Sequence, residues 1–368
     1  MSATIATWLP APLSAEVAAA LRRLADADDV ARIAVMPDVH LAEDVCIGTV
    51  VATRSVLYPA AVGGDIGCGV ATLQFDAAAA LLDDPRLAAS VLDGFTRRVP
   101  TLRHRDARAL PGGELSHPSL RALARTTGAR ELGTLGRGNH FLELQADDKD
   151  RLWAMVHTGS RAIGQAIRDH HLCDATARGA GLRGFDADSP QGHAYLDDLT
   201  WALAYATANR RAILSAATDV LVECLGIVPV DASGIECHHN HVLREDHGEP
   251  LWVHRKGAIS AALDEPGLIP GSMGTTSYHV AGRGVAAALA SSSHGAGRRF
   301  SRSEARKRIS ARDLTAQLGA VWFDHRHADA LRDEAPAAYK NVDAVMRAQR
   351  ELTRVVRRVR PRLSYKGT

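Results

Sequence analysis

The sequence predicts one domain that mixes strands and helices. Short β-branched runs divided by turns alternate with longer alanine-rich helical stretches. The residues with site chemistry are scattered from 65 to 366, so a single fold closing around one centre is simpler than two domains. A length of 368 residues would permit two, but no linker of convincing length, internal repeat or low-complexity tract divides the chain.

Taken in order, residues 14–26 read as an amphipathic helix with Ser14 as its cap. Residues 33–36, 47–53 and 70–75 read as short strands. Residues 76–99 have helical composition interrupted at Pro85, and 104–130, rich in Arg, Gly and Pro, reads as a long surface loop or lid. Two strands follow at 141–145 and 152–156, separated by the acidic turn 147–150; His140 opens the first and His157 closes the second. The stretch 193–225 is the strongest helical signal, followed by strand-like pieces near 236–243 and 250–254. Ser301-Arg302-Ser303-Glu304 has capping-box form and should start a helix whose positive end faces the loop before it. Residues 338–357 read as a last helix, broken by Pro361.

Net charge is only +2, so the molecule as a whole is no polycation. Basic residues nevertheless crowd 298–312 and 347–366, which gives either a face for a polyanion or ordinary solvated surface. The five cysteines have no CxxC spacing, and no apolar run reaches the ~18 residues that span a bilayer. The opening Met-Ser-Ala-Thr-Ile-Ala lacks a charged segment followed by an apolar one. A reduced, cytoplasmic protein is the expectation, with no membrane partner.

The chemistry concentrates in four short motifs. Asp65 and Cys68, three apart in a glycine-flanked turn, can aim two anionic donors at one point, and a thiolate has lone pairs enough to bridge two metals. Alone, the turn is as well explained by a buried cysteine ending a strand. With His140, His157 and His239 elsewhere, a transition-metal site is the better reading. This mixed donor set suits zinc, manganese, iron or cobalt. Neither HExxH nor paired CxxC is present, so a metalloprotease or zinc finger has no support. His294, in Ser-His-Gly-Ala-Gly-Arg, is a neutral nitrogen beside Gly295, Ala296, Gly297 and Arg298, whose N–H groups suit phosphate; a polar surface loop is the plainer reading. The loop 270–274 with Ser277 offers hydroxyls to a nucleobase or forms an ordinary turn, and Asp38 and His40 either orient ligands from behind or serve as turn residues.

Ten blocks in one order resemble the RtcB family of RNA-splicing ligases: MPDVH (36–40), YPAAVGGDIGCG (58–69), GTLGRGNHFLEL (133–144), HTGSRAIG (157–164), HHN (238–240), RKGA (255–258), IPGSMGTTSYHVAG (269–282), SSSHGAGRRFSR (291–302), DEAPAAYKNVDAVM (333–346) and YKG (365–367). The resemblance implies a single α+β catalytic domain over 1–368, with strands around a central metal-containing cleft and peripheral helices. It implies two Mn(II) ions, one on Asp65, Cys68 and His140 and the other on Cys68, His157 and His239, with GTP as co-substrate and His294 as the residue that becomes guanylylated. The implied guanylate pocket uses Asn139, His140, Phe141, Leu142, Glu143, His239, Asn240, Pro270, Gly271, Ser272, Met273, Ser277, His294, Gly295, Ala296, Gly297 and Lys366, with Tyr339 against the base.

The implied reaction joins RNA ending in a 3′-phosphate or 2′,3′-cyclic phosphate to a 5′-hydroxyl end, in RNA repair or tRNA splicing. The resemblance also admits an archease-like activator as partner. The alternative is a metal-dependent cyclic phosphodiesterase acting on RNA ends without sealing, and a third reading is a non-catalytic binder of damaged ends. The chain departs from the usual family pattern at Gly64, Arg137, Thr158, 42–44 and 259–260. Its brief run before the first block suggests a repair-type branch.

Overall fold

The computed structural model describes residues 3–368. A seven-stranded sheet runs in the order Ile235–His238, Gly69–Ala78, Arg151–Thr158, Phe141–Asp147, Thr353–Lys366, Ser277–Gly282, Pro266–Ile269, antiparallel at every pairing. A five-stranded sheet takes the order Thr4–Thr7, Val30–His40, Ile47–Thr53, Pro250–Lys256, Asn240–Asp246, parallel only between its first two members. This is the α+β architecture expected, since largely antiparallel sheets carry their helices on one side.

Side-chain alternation along Phe141–Asp147 explains how the larger sheet serves both core and site. Leu142 and Leu144 point into an apolar cluster with Leu152, Ala154 and Val156 from the neighbouring strand, Phe95 and Val91 from helix Pro85–Arg98, and Ile213 and Val220 from helix Pro190–Leu225. Phe141, Glu143 and Gln145 point the other way; the first two line a cavity. Helix Pro190–Leu225, 36 residues long, therefore packs beneath the floor on which the site is built. Among the described residues no helix is long and apolar enough to cross a membrane.

Local signals placed several elements well. Helix Ala15–Ala25 starts where the Ser14 hydroxyl accepts from Val17 N, and Ser301 and Glu304 form the reciprocal capping box of Arg302–Arg308. Pro85 opens a helix at its first position instead of interrupting one, because there its missing N–H is no loss. The segment 104–130 is partly helical, with Pro118–Leu123 packed against the core through Leu120.

The largest departure is at the carboxyl end. Helix Val342–Ala348 is short, and Thr353–Lys366 is a 14-residue strand inside the seven-stranded sheet. Val355 pairs with Val280 of one neighbouring strand and Val359 with Ser277 of that strand and Asp147 of the other, and this β-branched pairing outweighs the helical spacing of the arginines. Pro361 does not end the element but sits at a register shift opposite Gln145, where a missing N–H is tolerated.

Candidate active site

Three adjacent central strands bring the donors to one end of the larger sheet. Gly69 pairs with Thr158, Val70 with His157, and Phe141 with His157, so the turn before Gly69, the end of the middle strand and the residue before Phe141 converge. The Asp65–Cys68 turn is closed by Cys68 N donating to Asp65 O at 3.0 Å. His239 is the single residue between Ile235–His238 of one sheet and Asn240–Asp246 of the other, and its N–H donates to Cys68 O at 2.8 Å. The two sheets thus meet at a ligand.

Two donor groups result, Asp65–Cys68–His140 and Cys68–His157–His239, with ligand atoms of each group within 4.8 Å of one another and Cys68 common to both. Cys68 Sγ lies 3.3 Å from His157 Nε2 and 3.7 Å from His140 Nε2. His157 Nε2 lies 3.3 Å from His239 Nε2, and His140 Nε2 3.1 Å from Asp65 Oδ2.

The outer ring nitrogens decide what these contacts mean. His140 Nδ1 faces Leu135 O at 2.9 Å and His157 Nδ1 faces Asn139 O at 3.2 Å. A carbonyl can only accept, so both Nδ1 atoms carry protons and both Nε2 atoms face inward toward the other donors. Where such a nitrogen is neutral, its lone pair points at the neighbouring donor atoms, an arrangement that a shared cation satisfies.

Burial, reinforced by neighbouring imidazoles, holds His157 and His239 well below the usual histidine range and so keeps them from taking up that cation as a proton. Burial and then the Asp65 charge push the Cys68 thiol well up. Asp65 is pushed up by burial, but the hydrogen bond and charge of His140 more than offset this and hold it below the usual carboxylate range. Asp65 Oδ1 is buried with no hydrogen-bond partner among the described residues. The donor set therefore fits two metal ions sharing one thiolate.

His294 stands next to this cluster, its ring centroid 4.7 Å from that of His239. It follows strand Ser291–Ser293, which pairs with Ala258–Ser260. Its Nδ1 lies 2.7 Å from Oδ2 of the fully buried Asp38, an ion-pair distance outside good hydrogen-bond alignment, and its backbone N–H donates to the same oxygen at 3.3 Å. Asp38 therefore orients His294, not a metal ligand. The loop must be glycine at Gly297, where φ is +72° and a Cβ would come within 2.3 Å of Asp38 O.

A cavity of about 270 Å³ opens in front of His294. Asn139, Phe141, Glu143, Pro270, Gly271, Ser272, Met273, Gly295, Ala296, Gly297, Tyr339 and Lys366 line it with His294. The other residues of the expected nucleotide pocket lie elsewhere. His140 and His239 belong to the donor groups, and Leu142 points into the core. Asn240 ties Gly257 N and Asp65 O, at 2.9 and 3.0 Å, and Ser277 accepts from Gly271 N at 3.0 Å, stiffening the 270–273 loop from behind.

Sequence reasoning passed over Glu334. Only 3% exposed, it accepts from Lys366 Nζ at 2.9 Å, the Tyr339 hydroxyl at 2.7 Å and Arg298 Nη1 at 3.2 Å, and it lines the cavity. The signal was present as adjacent acids in an otherwise apolar DEAPAAY block. Burial pushes Glu334 up, but Lys366 beside it more than offsets that and keeps it low. Glu143, 2% exposed, is pushed by burial up to about 7 against the pull of Gln145, Lys366 and Ser364.

A larger groove of about 870 Å³ joins the cavity through His40, Ile47, Arg298 and Arg302, and runs between 9–17 and 298–304. Arg299 in its wall has no carboxylate partner among the described residues. His254 is fully buried and accepts from Tyr58 N at 3.0 Å, a core role, while His325 and His327 sit on a surface turn. Of the family departures, Gly64 lies under the side chain of exposed Gln165, whose flexible amide end would have to swing aside for a Cβ there. Arg137 is exposed, with no ion pair among the described residues.

Comparison with known proteins gives one consistent likeness. Residues 20–116 and 104–367 match the family described as tRNA-splicing ligase RtcB. The RNA-splicing ligase RtcB of Escherichia coli (strain K12) is 36% identical over 371 residues, covering 91% of this chain and 90% of that protein. The RNA-splicing ligase RtcB of Mycobacterium tuberculosis (strain H37Rv) is 31% identical over 420 residues, covering 90% and 96%. The tRNA-splicing ligase RtcB of Pyrococcus furiosus is 32% identical over 289 residues, covering 65% of this chain and 30% of the longer protein.

Proposed function

The chain belongs to the RtcB family, and from that premise we propose that it is a GTP- and Mn(II)-dependent RNA ligase formed by one catalytic domain over residues 1–368. It joins RNA 3′-phosphate or 2′,3′-cyclic phosphate ends to 5′-hydroxyl ends. The observation that carries the reading is His294, seated between the Asp38 carboxylate and the cavity and in ring contact with His239 of the donor cluster.

Asp38 holds the Nδ1 side of His294, which leaves Nε2 as the nucleophile. Nε2 bonds to the α-phosphorus of GTP, and pyrophosphate leaves with the electrons of the broken P–O bond. An oxygen of the RNA 3′-phosphate then takes the guanylyl group, and the imidazole returns to its neutral state. The RNA 5′-hydroxyl oxygen attacks the activated 3′-phosphorus, GMP departs, and the hydroxyl proton is lost to solvent. A cyclic phosphate end is first opened by water to the 3′-phosphate. Two Mn(II) ions held by Asp65, Cys68, His140, His157 and His239 would supply Lewis-acid stabilisation of the phosphoryl oxygens.

The chain's own groups do the positioning. Gly295, Ala296 and Gly297 present backbone N–H groups to phosphate beside Arg298. Glu143 and the 270–273 loop offer hydrogen-bonding groups to guanine, and Tyr339, held by Glu334 and Arg298, gives the base a ring to lie against. Arg299 and Arg302 border the groove where an RNA backbone would approach. Five unpaired cysteines agree with a cytoplasmic setting.

Incubation with α-labelled GTP and Mn(II) tests the assignment. The wild type should acquire an acid-labile, alkali-resistant guanylate, and His294→Ala should not. Label or sealing in His294→Ala defeats the proposed role, and cyclic-phosphate opening with no label in the wild type would leave a phosphodiesterase. The repair-type branch predicts faster sealing of one cleaved RNA class, so equal rates on a nicked tRNA and a nicked rRNA stem-loop would argue against it.

A further inference from the structure

Asn209 and Arg210 occupy the middle of helix Pro190–Leu225, and both are completely buried. Arg210 is among the largest fully buried side chains of the molecule. A guanidinium in the interior is costly unless its donors are met. Its donors are met almost entirely by the segments that carry the metal ligands.

Arg210 Nη1 donates to Gly67 O at 2.8 Å and to Thr158 O at 2.9 Å. Arg210 Nη2 lies 3.0 Å from His238 Nδ1, which also faces Gly67 O at 3.1 Å, and Nε donates to Glu236 Oε1 at 2.8 Å. Gly67 lies between Asp65 and Cys68, Thr158 follows His157, and His238 precedes His239. One side chain therefore fastens three separate stretches that carry four of the five donors.

Asn209 fastens the remaining stretch. Its Oδ1 accepts from Gly133 N at 2.6 Å and Thr134 N at 3.1 Å, and its Nδ2 contacts Thr134 O, Thr158 Oγ1 and Gly159 O at 3.2, 3.3 and 3.2 Å. The 133–135 loop in turn holds His140 through Leu135 O. Thr158 Oγ1 also donates to Leu135 O at 2.8 Å, joining the two systems.

We propose that Asn209 and Arg210 are the positioning residues of the dinuclear centre: a polar clamp on the long helix that sets the spacing of the ligand-bearing backbone, without touching metal or substrate. Metal–ligand distances tolerate only about 0.2 Å of error, and these donors come from four chain segments far apart in sequence. Apolar packing is non-directional and does not fix backbone to that tolerance, whereas a rigid guanidinium fork meeting two carbonyls does. The inference rests on the two-ion reading of the donor groups.

Cobalt(II) serves as probe, because thiolate-to-cobalt charge-transfer and d–d bands report ligation and geometry without any turnover. Wild type, Arg210→Lys and Arg255→Lys are titrated, and the apo-protein melting temperature of each is recorded. Arg255 is the control: equally buried, it is held mainly by Ser291, Leu289 and Glu245, and its one contact near a ligand is His241 Nε2 at 3.4 Å, beyond the backbone that carries the donors. Arg210→Lys should bind cobalt roughly 10–100-fold more weakly with altered d–d bands, while Arg255→Lys melts earlier but keeps wild-type affinity and spectrum.

Unchanged cobalt affinity and spectrum in Arg210→Lys would overturn the clamp, as would an equal loss in both variants. A wild type with no thiolate-to-cobalt band would instead defeat the two-ion reading itself. Should Arg210→Lys yield no folded protein, Asn209→Ser carries the test. It frees the 133–135 loop and should weaken chiefly the ion at Asp65, Cys68 and His140; retention of two equally tight ions would overturn the proposal.

Discussion

Replacing Gly159 by alanine should remove one metal ion while leaving the fold nearly intact. Gly159 follows His157 and Thr158 and has no left-handed φ, so alanine meets no backbone objection there. A Cβ at this position would lie 2.3 Å from Asp65 Oδ1, 2.6 Å from its Cγ and 2.7 Å from its Oδ2. Ordinary contact begins at 3.4 Å, so the carboxylate must retreat by about 1.1 Å. That is several times the roughly 0.2 Å a metal ligand tolerates. Asp65 cannot retreat freely, because it starts a tight turn closed by Cys68 N and its main-chain oxygen also binds Asn240. Overpacking of this kind costs roughly 1–3 kcal/mol of stability, too little to unfold a domain of ordinary stability. The expected result from equilibrium dialysis against Mn(II), with the metal counted by mass spectrometry, is one ion retained at Cys68, His157 and His239 and the other lost. A Gly159→Ala protein that keeps two ions at wild-type affinity would refute both the placement of Asp65 and its role as a ligand.

The other expectations follow from the same geometry. Cys68→Ala removes the sulfur common to both donor groups and should abolish cyclic-phosphate opening and sealing alike, whereas His294→Ala should stop sealing alone; opening that survives in Cys68→Ala would contradict the shared-thiolate reading. Glu143, raised to about 7 from a usual 4.5, binds its proton more tightly when folded, so its contribution to stability is complete below the unfolded value and is lost as pH rises through about 7. Glu143→Gln should therefore gain on the wild type by on the order of 3 kcal/mol between mildly acidic and mildly alkaline urea melts, and identical pH slopes would sink the argument. Lys366→Met leaves Glu334 buried with Arg298 as its one remaining ion-pair partner among the described residues and should cost about 3 kcal/mol, the low end for a broken buried pair, with part recovered in the double variant with Glu334→Gln. A loss in the double variant as large as in the single one would show that the charge pair is not the cause.

What could be read from the chain was what acts locally or repeats as a motif. Helix Ala15–Ala25 is announced by its cap and apolar stripe, and strands Phe141–Asp147 and Arg151–Thr158 by short apolar runs either side of an acidic turn. The donors stood out because Asp65, Cys68, His140, His157 and His239 are unusual neighbours for glycine, threonine and asparagine. The terminal strand Thr353–Lys366 was missed because its Val-Val-Arg-Arg-Val run suits either period, and pairing with strands more than 60 residues away chose between them.

By itself, then, the amino-acid order determined the family and the mixed class and singled out the candidate donors, since these reside in residue types and short spacings. Only the folded chain decided that Asp38 serves His294, that Glu334 anchors Lys366 and Tyr339, and that Asn209 and Arg210 lie under the donors. Each of these joins residues tens to hundreds of positions apart, and contact energies fall off within a few ångströms. Such partners become identifiable only once the sheets have closed and brought them within reach.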